Sequence, residues 1–300
     1  LEPERREIIT GLTARREALL GEILEDGRAD GSLCISPGDP TRYAVLGALN
    51  WVLVWHRPGQ GTLTLSAIAE AYLDVFLHGL RSPDLEPLSE WPAPVHLAEP
   101  AEPAPFDRPE LALRRREALV RSASEYFNRH GFDNCTLQDV ADALQIKRSS
   151  LYHYVSSKEE LLYACYTRSL EKTELVLREI DATQASGLAK FARTVGSAVD
   201  LHAGPAGPIA NYTRLKSLTA NHHREVRRRS ERIEGILAGY LRQGVQDGSV
   251  RAVDLRLARL AFLGAVNWLP RWAGPRPGAA STEIATSFSH IFVNGVGACG

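Results

Sequence analysis

Methionine is missing from all 300 residues, position 1 included. A chain of this length normally holds several, so residues are expected to be left out of the sequence, through a processed start, disordered stretches or modified methionines. Some apparent spacings then run short by a residue. Long apolar runs are missing too: nothing approaches the roughly 18 to 20 residues that a membrane span needs, and Leu1-Glu2-Pro3-Glu4-Arg5-Arg6-Glu7 is the reverse of a signal peptide. The chain reads as cytoplasmic, with no membrane partner. Net charge is only −1, which excludes an overall basic coat and makes any nucleic-acid surface local. Cys34, Cys135, Cys165 and Cys299 lack the short paired spacings of a zinc site, so metal and disulfide frameworks are not expected and free thiols are. There is no Gly-rich phosphate loop, no Gly-x-Ser-x-Gly elbow and no acid/base constellation beyond scattered His and Glu. The sequence therefore points away from an enzyme and calls for no cofactor.

What is present is a repeat. Gly47-Ala48-Leu49-Asn50-Trp51 recurs as Gly264-Ala265-Val266-Asn267-Trp268, Trp55 as Trp272, and Asp30-Gly31-Ser32-Leu33 as Asp247-Gly248-Ser249-Val250, all at one offset. Ile68, Phe76 and Gly79 match Ile284, Phe292 and Gly295 with the offset shorter by one residue. A collinear series of this kind makes residues from about 14 to 80 and from about 231 to 297 two copies of one unit. Each copy reads as a helix ending at an Asp-Gly turn (Arg16 to Glu25; Arg232 to Gln246), an apolar helix through Asn-Trp, a Pro/Gly loop, and a last antiparallel helix. Apolar spacings of three and four recur, as in Ile68, Tyr72, Val75 and Phe76, whereas period-two alternation is nowhere sustained. The fold class is all-α.

Between the first copy and the rest, residues 81–110 carry Pro83, Pro87, Pro92, Pro94, Pro100, Pro103, Pro105 and Pro109. Proline lacks the amide donor and clashes with the preceding turn, so this stretch reads as an extended linker. A helix from Leu111 to Arg129 follows, with Leu119, Ala123, Tyr126 and Phe127 on one face, broken at Gly131-Phe132. Thr136-Leu137-Gln138-Asp139 is a capping-box start for a second helix burying Leu137, Val140, Ala141 and Leu144. After a turn at Gln145-Ile146, a third helix is expected from Lys147 to Val155, with Leu151, Tyr154 and Val155 inward. Ser157-Lys158-Glu159-Glu160 opens the next long helix. Two short helices joined by a tight turn, the second basic and hydroxyl-bearing outside, is the geometry that enters the DNA major groove.

The run Gly131-Phe132, Thr136, Val140-Ala141, Leu144, Ile146, Ser149, Leu151-Tyr152, Tyr154-Val155, Ser157-Lys158-Glu159 and Leu161 resembles the signature of the TetR family, over some 50 residues. The chain departs from that pattern at Gln145, where the family often has glycine, and at Val155, where it usually has phenylalanine. The resemblance implies an all-α dimer: a three-helix helix-turn-helix head, a linking fourth helix, and a ligand-binding bundle whose last two helices form the dimer interface. It divides the chain into 1–80, the end of a first TetR-like ligand and dimerisation domain; 81–110, the Pro-rich linker; 111–162, the DNA-binding head; and 163–300, a complete ligand-binding and dimerisation domain. The first head would then be absent from the sequence. The two units are expected to pack as an intrachain pseudo-dimer, with a homodimer, tetramer or swapped arrangement left open.

The implied function is ligand-responsive, sequence-specific transcriptional regulation, as a repressor released by a small hydrophobic or amphipathic effector. A sensor or partner-binding protein with degenerate DNA binding is the alternative. Partners are then a double-stranded operator and a small molecule. For DNA, Lys147, Arg148, Ser149 and His153 are candidates for base edges, and Tyr152, Lys158 and Thr136 for phosphates, with Arg114, Arg115 and Arg116 adding backbone contacts. For ligand, a pocket within residues 165 to 275 suggests Phe191, His202, Tyr212, Phe262, Asn267, Trp268 and Trp272, although His202, beside a Gly/Pro loop, also reads as a surface residue. The arginine-rich run from Arg224 to Arg232 is interleaved with Glu225 and Glu231, which favours salt bridges along one helix over a second nucleic-acid surface.

Overall fold

The computed structural model describes residues 3–298 except 37, 58, 60–62, 87–91, 98–107, 205, 211–214 and 273–278. Its helices are α1 (Pro3–Ala29), α2 (Thr41–Trp55), α3 (Leu65–His78), α4 (Arg108–His130), α5 (Leu137–Ala143), α6 (Arg148–Leu151), α7 (Lys158–Asp181), α8 (Gly187–Ala203), α9 (Ala220–Gln246), α10 (Leu255–Trp272) and α11 (Ala279–Asn294). Among the described residues there is no strand, only two isolated bridges, so the all-α class holds. None of these helices is long and apolar enough to cross a membrane. α4, α5 and α6 form a small head, α7 leads out of it, and α7 to α11 form a bundle against which α2 and α3 pack.

The repeat is written into the packing. Gly47 on α2 and Gly264 on α10 face each other so closely that a Cβ on Gly47 would lie 2.7 Å from the Gly264 carbonyl oxygen, and one on Gly264 2.6 Å from the Trp51 Cβ. Backbone contacts at the ends of these helices recur with the copies exchanged. Leu33 bridges Gly297 as Arg81 bridges Val250. The Gly297 amide donates to the Leu77 carbonyl at 2.8 Å and the Arg81 amide to that of Val293 at 2.8 Å; Val296 donates to Phe76 at 2.8 Å and Leu80 to Phe292 at 3.0 Å. Phe76 and Phe292, equivalent residues, meet at 5.7 Å between ring centroids. These exchanged pairs describe an approximate two-fold relation inside one chain.

Several boundaries differ from the sequence expectation. α1 and α9 start at Pro3 and Ala220, well before Arg16 and Arg232, because polar residues can continue a helix that an apolar stripe alone would not reveal; Thr219 caps α9. α4 starts at Arg108 and takes Pro109 into its first turn, where a missing N–H costs nothing. The linker is not free of the bundle. The Val95 amide donates to Ser197 Oγ at 2.9 Å, Arg193 Nε donates to the Ala93 carbonyl at 3.0 Å, and His96 Nδ1 lies 3.2 Å from the Asp200 carboxylate, so this segment is tied along α8. In the arginine run, Arg227 pairs with Glu231 along α9 as expected, but Arg229 crosses to Glu174 on α7 at 2.8 Å. Cys135 and Cys165 are free and buried, whereas Cys34 is disulfide-bonded. That correction has a tertiary origin: the Cys34 amide donates to the Val296 carbonyl at 2.8 Å, which brings distant parts of the chain together.

Replacing Gly264 by alanine is expected to destabilise the protein by ~1–3 kcal/mol through overpacking against α2. Gly235→Ala, which meets nothing within 4 Å, should be neutral or stabilising by up to ~1 kcal/mol. Urea unfolding of the two variants checks the difference.

Candidate functional site

The head is assembled from short amphipathic pieces. On α4, Leu119, Ala123 and Phe127 are buried as their spacing dictates, while Tyr126 is half-buried. Phe127 meets Phe132 edge-on at 5.4 Å. Thr136 and Asp139 close a reciprocal capping box: the Asp139 amide donates to Thr136 Oγ1 at 3.2 Å and the Thr136 amide to the Asp139 carboxylate at 2.7 Å. Those hydrogen bonds hold the Asp139 carboxyl below its ordinary pKa. α5 buries Leu137, Val140 and Ala141 and ends before Leu144.

The turn into α6 solves the problem that the missing glycine poses. Gln145 takes φ 55°, the left-handed conformation that costs an L-residue roughly 1–2 kcal/mol, and the Ile146 amide still reaches the Ala141 carbonyl at 3.0 Å. α6 itself spans only Arg148–Leu151, shorter than the expected Lys147 to Val155. Tighter turns follow, in which His153 and Tyr154 donate to Ser150 and Leu151. The two-faced character is nevertheless kept. Leu151 and Val155 are buried, and Lys147, Arg148, Ser149, Tyr152 and His153 are all exposed on the other side, as is Thr136. Arg148 Nη2 donates to the Tyr152 hydroxyl at 2.8 Å, its guanidinium 5.5 Å from the ring centroid, which pre-orients the arginine. Lys158 behaves differently from the other candidates. Its ammonium donates to the carbonyls of Phe132 at 3.0 Å and Cys135 at 2.8 Å and sits over the Phe132 ring, so it ties α7 to the head.

Below the head lies an apolar cavity of about 260 Å³ among α7, α8, α9 and α10. Of the seven sequence candidates, His202, Phe262 and Asn267 line it. Phe191 is fully buried behind Phe262, ring centroids 5.2 Å apart, and supports the wall without forming it. Trp268 lines a second, smaller cavity of about 150 Å³ between the head and α2/α10. Trp272 stacks on Tyr43 at 4.2 Å and lines neither cavity, because α2 covers it. Tyr212 lies outside the described residues. His202 is buried, 4% exposed, contrary to its reading as a surface residue; burial pushes its pKa down to about 3, so the ring is neutral.

Sequence reasoning missed two groups of cavity residues. Trp51 and Val54 reach in from the first copy, outside the interval where the pocket was expected, and they also line the smaller cavity together with Asn267. Ser230, Thr173 and Glu234 were missed as polar residues. Ser230 had a signal: it continues the buried row Val226, Ile233, Leu237 on α9.

Residues 206–210 join cavity and head. Ile209 lines the larger cavity and Ala210 the smaller. Asn128 of α4 donates to the Ile209 carbonyl at 2.8 Å, and the Ala210 amide donates to Ser169 Oγ of α7 at 2.8 Å. Arg168 of α7, 5% exposed, donates to the carbonyls of Ala206 at 2.6 Å and Pro208 at 3.1 Å and to Glu117 of α4 at 2.8 Å. A buried cation with several directed hydrogen bonds is costly to disturb, and it ties this loop to α4.

Known proteins resemble the chain along these same parts. Residues 119–165 match the bacterial regulatory proteins of the tetR family, and residues 1–80 and 184–296 match the tetracyclin repressor-like C-terminal domain. The HTH-type transcriptional repressor KstR2 of Rhodococcus jostii is 28% identical over 198 residues, 65% of this chain and 97% of that protein. A probable acrEF/envCD operon repressor of Escherichia coli is 30% identical over 71 residues, 24% of this chain and 32% of that protein. In structure, the ketosteroid transcriptional regulator KstR2 of Mycobacterium tuberculosis aligns with TM-score 0.50 at 20% identity over 61% of this chain and 95% of that one.

Two changes follow from this geometry. Gln145→Gly is expected to raise stability by ~0.5–1 kcal/mol in urea unfolding, as relief of the left-handed strain exceeds the added chain entropy. His202, neutral when folded and ordinary when unfolded, binds a proton only in the unfolded state between about pH 6.5 and its folded value of about 3. Stability is therefore lost as pH falls through that window, by roughly 1.4 kcal/mol per pH unit at most, and His202→Phe should flatten the decline relative to wild type.

Proposed function

The chain belongs to the TetR family of bacterial regulatory proteins, and on that premise we propose that it is a cytoplasmic, one-component transcriptional repressor released from its operator by a small hydrophobic or amphipathic effector. The observation that carries this reading is the exposed row Lys147, Arg148, Ser149, Tyr152 and His153, on the short helix α6 and the turns at its ends, anchored from behind by Leu151 and Val155. Arginine and lysine there suit guanine acceptors in the major groove, and Thr136, exposed at the start of α5, suits a phosphate. Arg114 is partly engaged with Glu110 at 3.2 Å, which leaves Arg115 and Arg116 as the better backbone contacts.

The apolar cavity is the effector site in this reading. A molecule entering it pushes on Ile209, and the loop 206–210 passes the displacement through Asn128, Ser169 and Arg168 to α4 and α7. Effector and operator then favour different head positions and oppose each other's binding. The reciprocal contacts between the two copies support a further part of the proposal. One chain supplies both halves of the interface that two chains supply in a dimer, with residues 1–80 as the first half and 163–300 as the second, on either side of the linker 81–110. The head 111–162 is attached to the second half.

The test is duplex binding by the full chain to the DNA upstream of its own gene. Saturable, sequence-selective binding that weakens steeply with salt is expected. Lys147→Ala/Arg148→Ala should lower the affinity by ~10-fold or more while the melting temperature is unchanged. Binding no tighter than to random duplex, in a selection from random sequences as well, would sink the reading.

A further inference from the structure

We propose that the larger cavity takes a compact, uncharged, largely apolar molecule bearing a hydroxyl or carbonyl oxygen, which His202 and Ser230 hydrogen-bond. This rests on the effector-site reading above and narrows the chemical class that the site admits.

The walls set the apolar part. Leu170, Leu177, Leu201, Ile233, Leu237 and Phe262 come from all four helices around the space, so water inside would find few partners. Against this background two polar atoms stand out. His202 Nδ1 on α8 and Ser230 Oγ on α9 are buried and have no hydrogen-bond partner among the described residues. Leaving a buried donor or acceptor unmet costs about 1–3 kcal/mol, and native folds rarely do so. The other such atoms, on Asn50, Trp55, Tyr72, Thr167, Arg259 and Trp272, belong to residues outside this lining, so the pair on His202 and Ser230 is the place where a bound molecule would present its own polar group.

The remaining hydroxyls are already committed. Thr173 Oγ1 donates to the Ser169 carbonyl at 2.9 Å and Thr194 Oγ1 to the Lys190 carbonyl at 2.8 Å, each within its own helix. Asn267 Nδ2 donates to the Leu263 carbonyl at 2.8 Å. Of the lining residues, His202 and Ser230 alone carry a buried side-chain polar atom with no partner among the described residues. An unprotonated imidazole nitrogen accepts from a hydroxyl, or in the other tautomer donates to a carbonyl, and serine can do either.

Among the described residues, nothing in the wall favours an acid. Among the described lining residues the ionisable groups are His202 and Glu234. Burial keeps the imidazole neutral, as its lowered pKa reflects, and Glu234 faces Arg259, whose Nη1 donates to the Glu234 carbonyl at 2.9 Å and whose Nη2 lies 3.6 Å from the carboxylate. No described cation is therefore placed in the wall to receive a carboxylate or phosphate, and desolvating an unpaired anion there is prohibitive.

The experiment is calorimetric titration of the full chain at pH 7.5 with three probes of one skeleton: 1-adamantanol, 2-adamantanone and adamantane-1-carboxylate. The alcohol and the ketone should bind at least ~10-fold more tightly than the carboxylate. His202→Leu and Ser230→Ala should each weaken alcohol binding by roughly 5- to 10-fold, while their melting temperatures stay at or above wild type because an unmet buried group has been removed. A merely structural histidine would give the reverse, a lower melting temperature with unchanged affinity. Equal or tighter binding of the carboxylate, binding of none of the three, or alcohol affinity unaffected in both variants overturns the proposal. Operator binding without any probe is measured on the same preparation. If the alcohol binds and no duplex does, the regulatory reading fails and the ligand class stands; if the operator binds but the probe order is wrong, the ligand class alone falls.

Discussion

Much of this molecule depends on how closely α2 and α10 approach. Side chains normally keep helix axes 8–10 Å apart, and Gly47 and Gly264 remove them where the two copies cross, so that each backbone packs on the other's Gly-Ala step, Gly47-Ala48 against Gly264-Ala265. Once that crossing is set, the ends of α3 and α11 fall into register and exchange hydrogen bonds in matched pairs. Gly79 and Gly295, both at positive φ, reverse the chain there because a Cβ on either would strike the opposite backbone. Backbone groups and small residues thus make the crossing itself, and the aromatic pairs Phe76–Phe292 and Tyr43–Trp272 pack beside it.

The same crossing decides what surrounds the cavities. It carries Trp51 and Val54 from the first copy across to the bundle of the second, where they border both the larger cavity and the space under the head. The wall between a site in the bundle and the head is therefore partly made by the other copy. Arg168 and the loop 206–210 complete the connection from the opposite side, with α7 as the shared rigid element. The loop 206–210 and the α2/α10 crossing thus both run from the larger cavity to the head.

The head obeys a different logic, since it is small and its core is thin. Capping at Thr136, the tie from Lys158 to two carbonyls, and the strained turn at Gln145 hold three short helices in place. α6 is only four residues long, yet Leu151 and Val155 anchor the segment from the face opposite the exposed row. The strain at Gln145 shows that the turn geometry is demanded by the packing of α5 and α6 and not by the residue at the turn.

The sequence by itself determined the all-α class and the helix-turn-helix with its outward face, and it carries an internal repeat. Each is a local or periodic pattern: apolar spacing of three and four, a capping box, a recurring Asn-Trp element. Tertiary structure alone decided that Trp272 is covered by α2, that Trp51 serves the larger cavity, that Lys158 turns inward, and that His202 is buried with an unmet nitrogen. For Trp51 and Trp272 the outcome turns on helices more than a hundred residues apart in the chain, and for Lys158 on carbonyls 23 and 26 residues away. A sequence pattern states that a side chain is on the buried face of its helix. Whether that face meets another side chain, another backbone or an empty space is settled only by the crossing at Gly47 and Gly264 and the helices stacked around it.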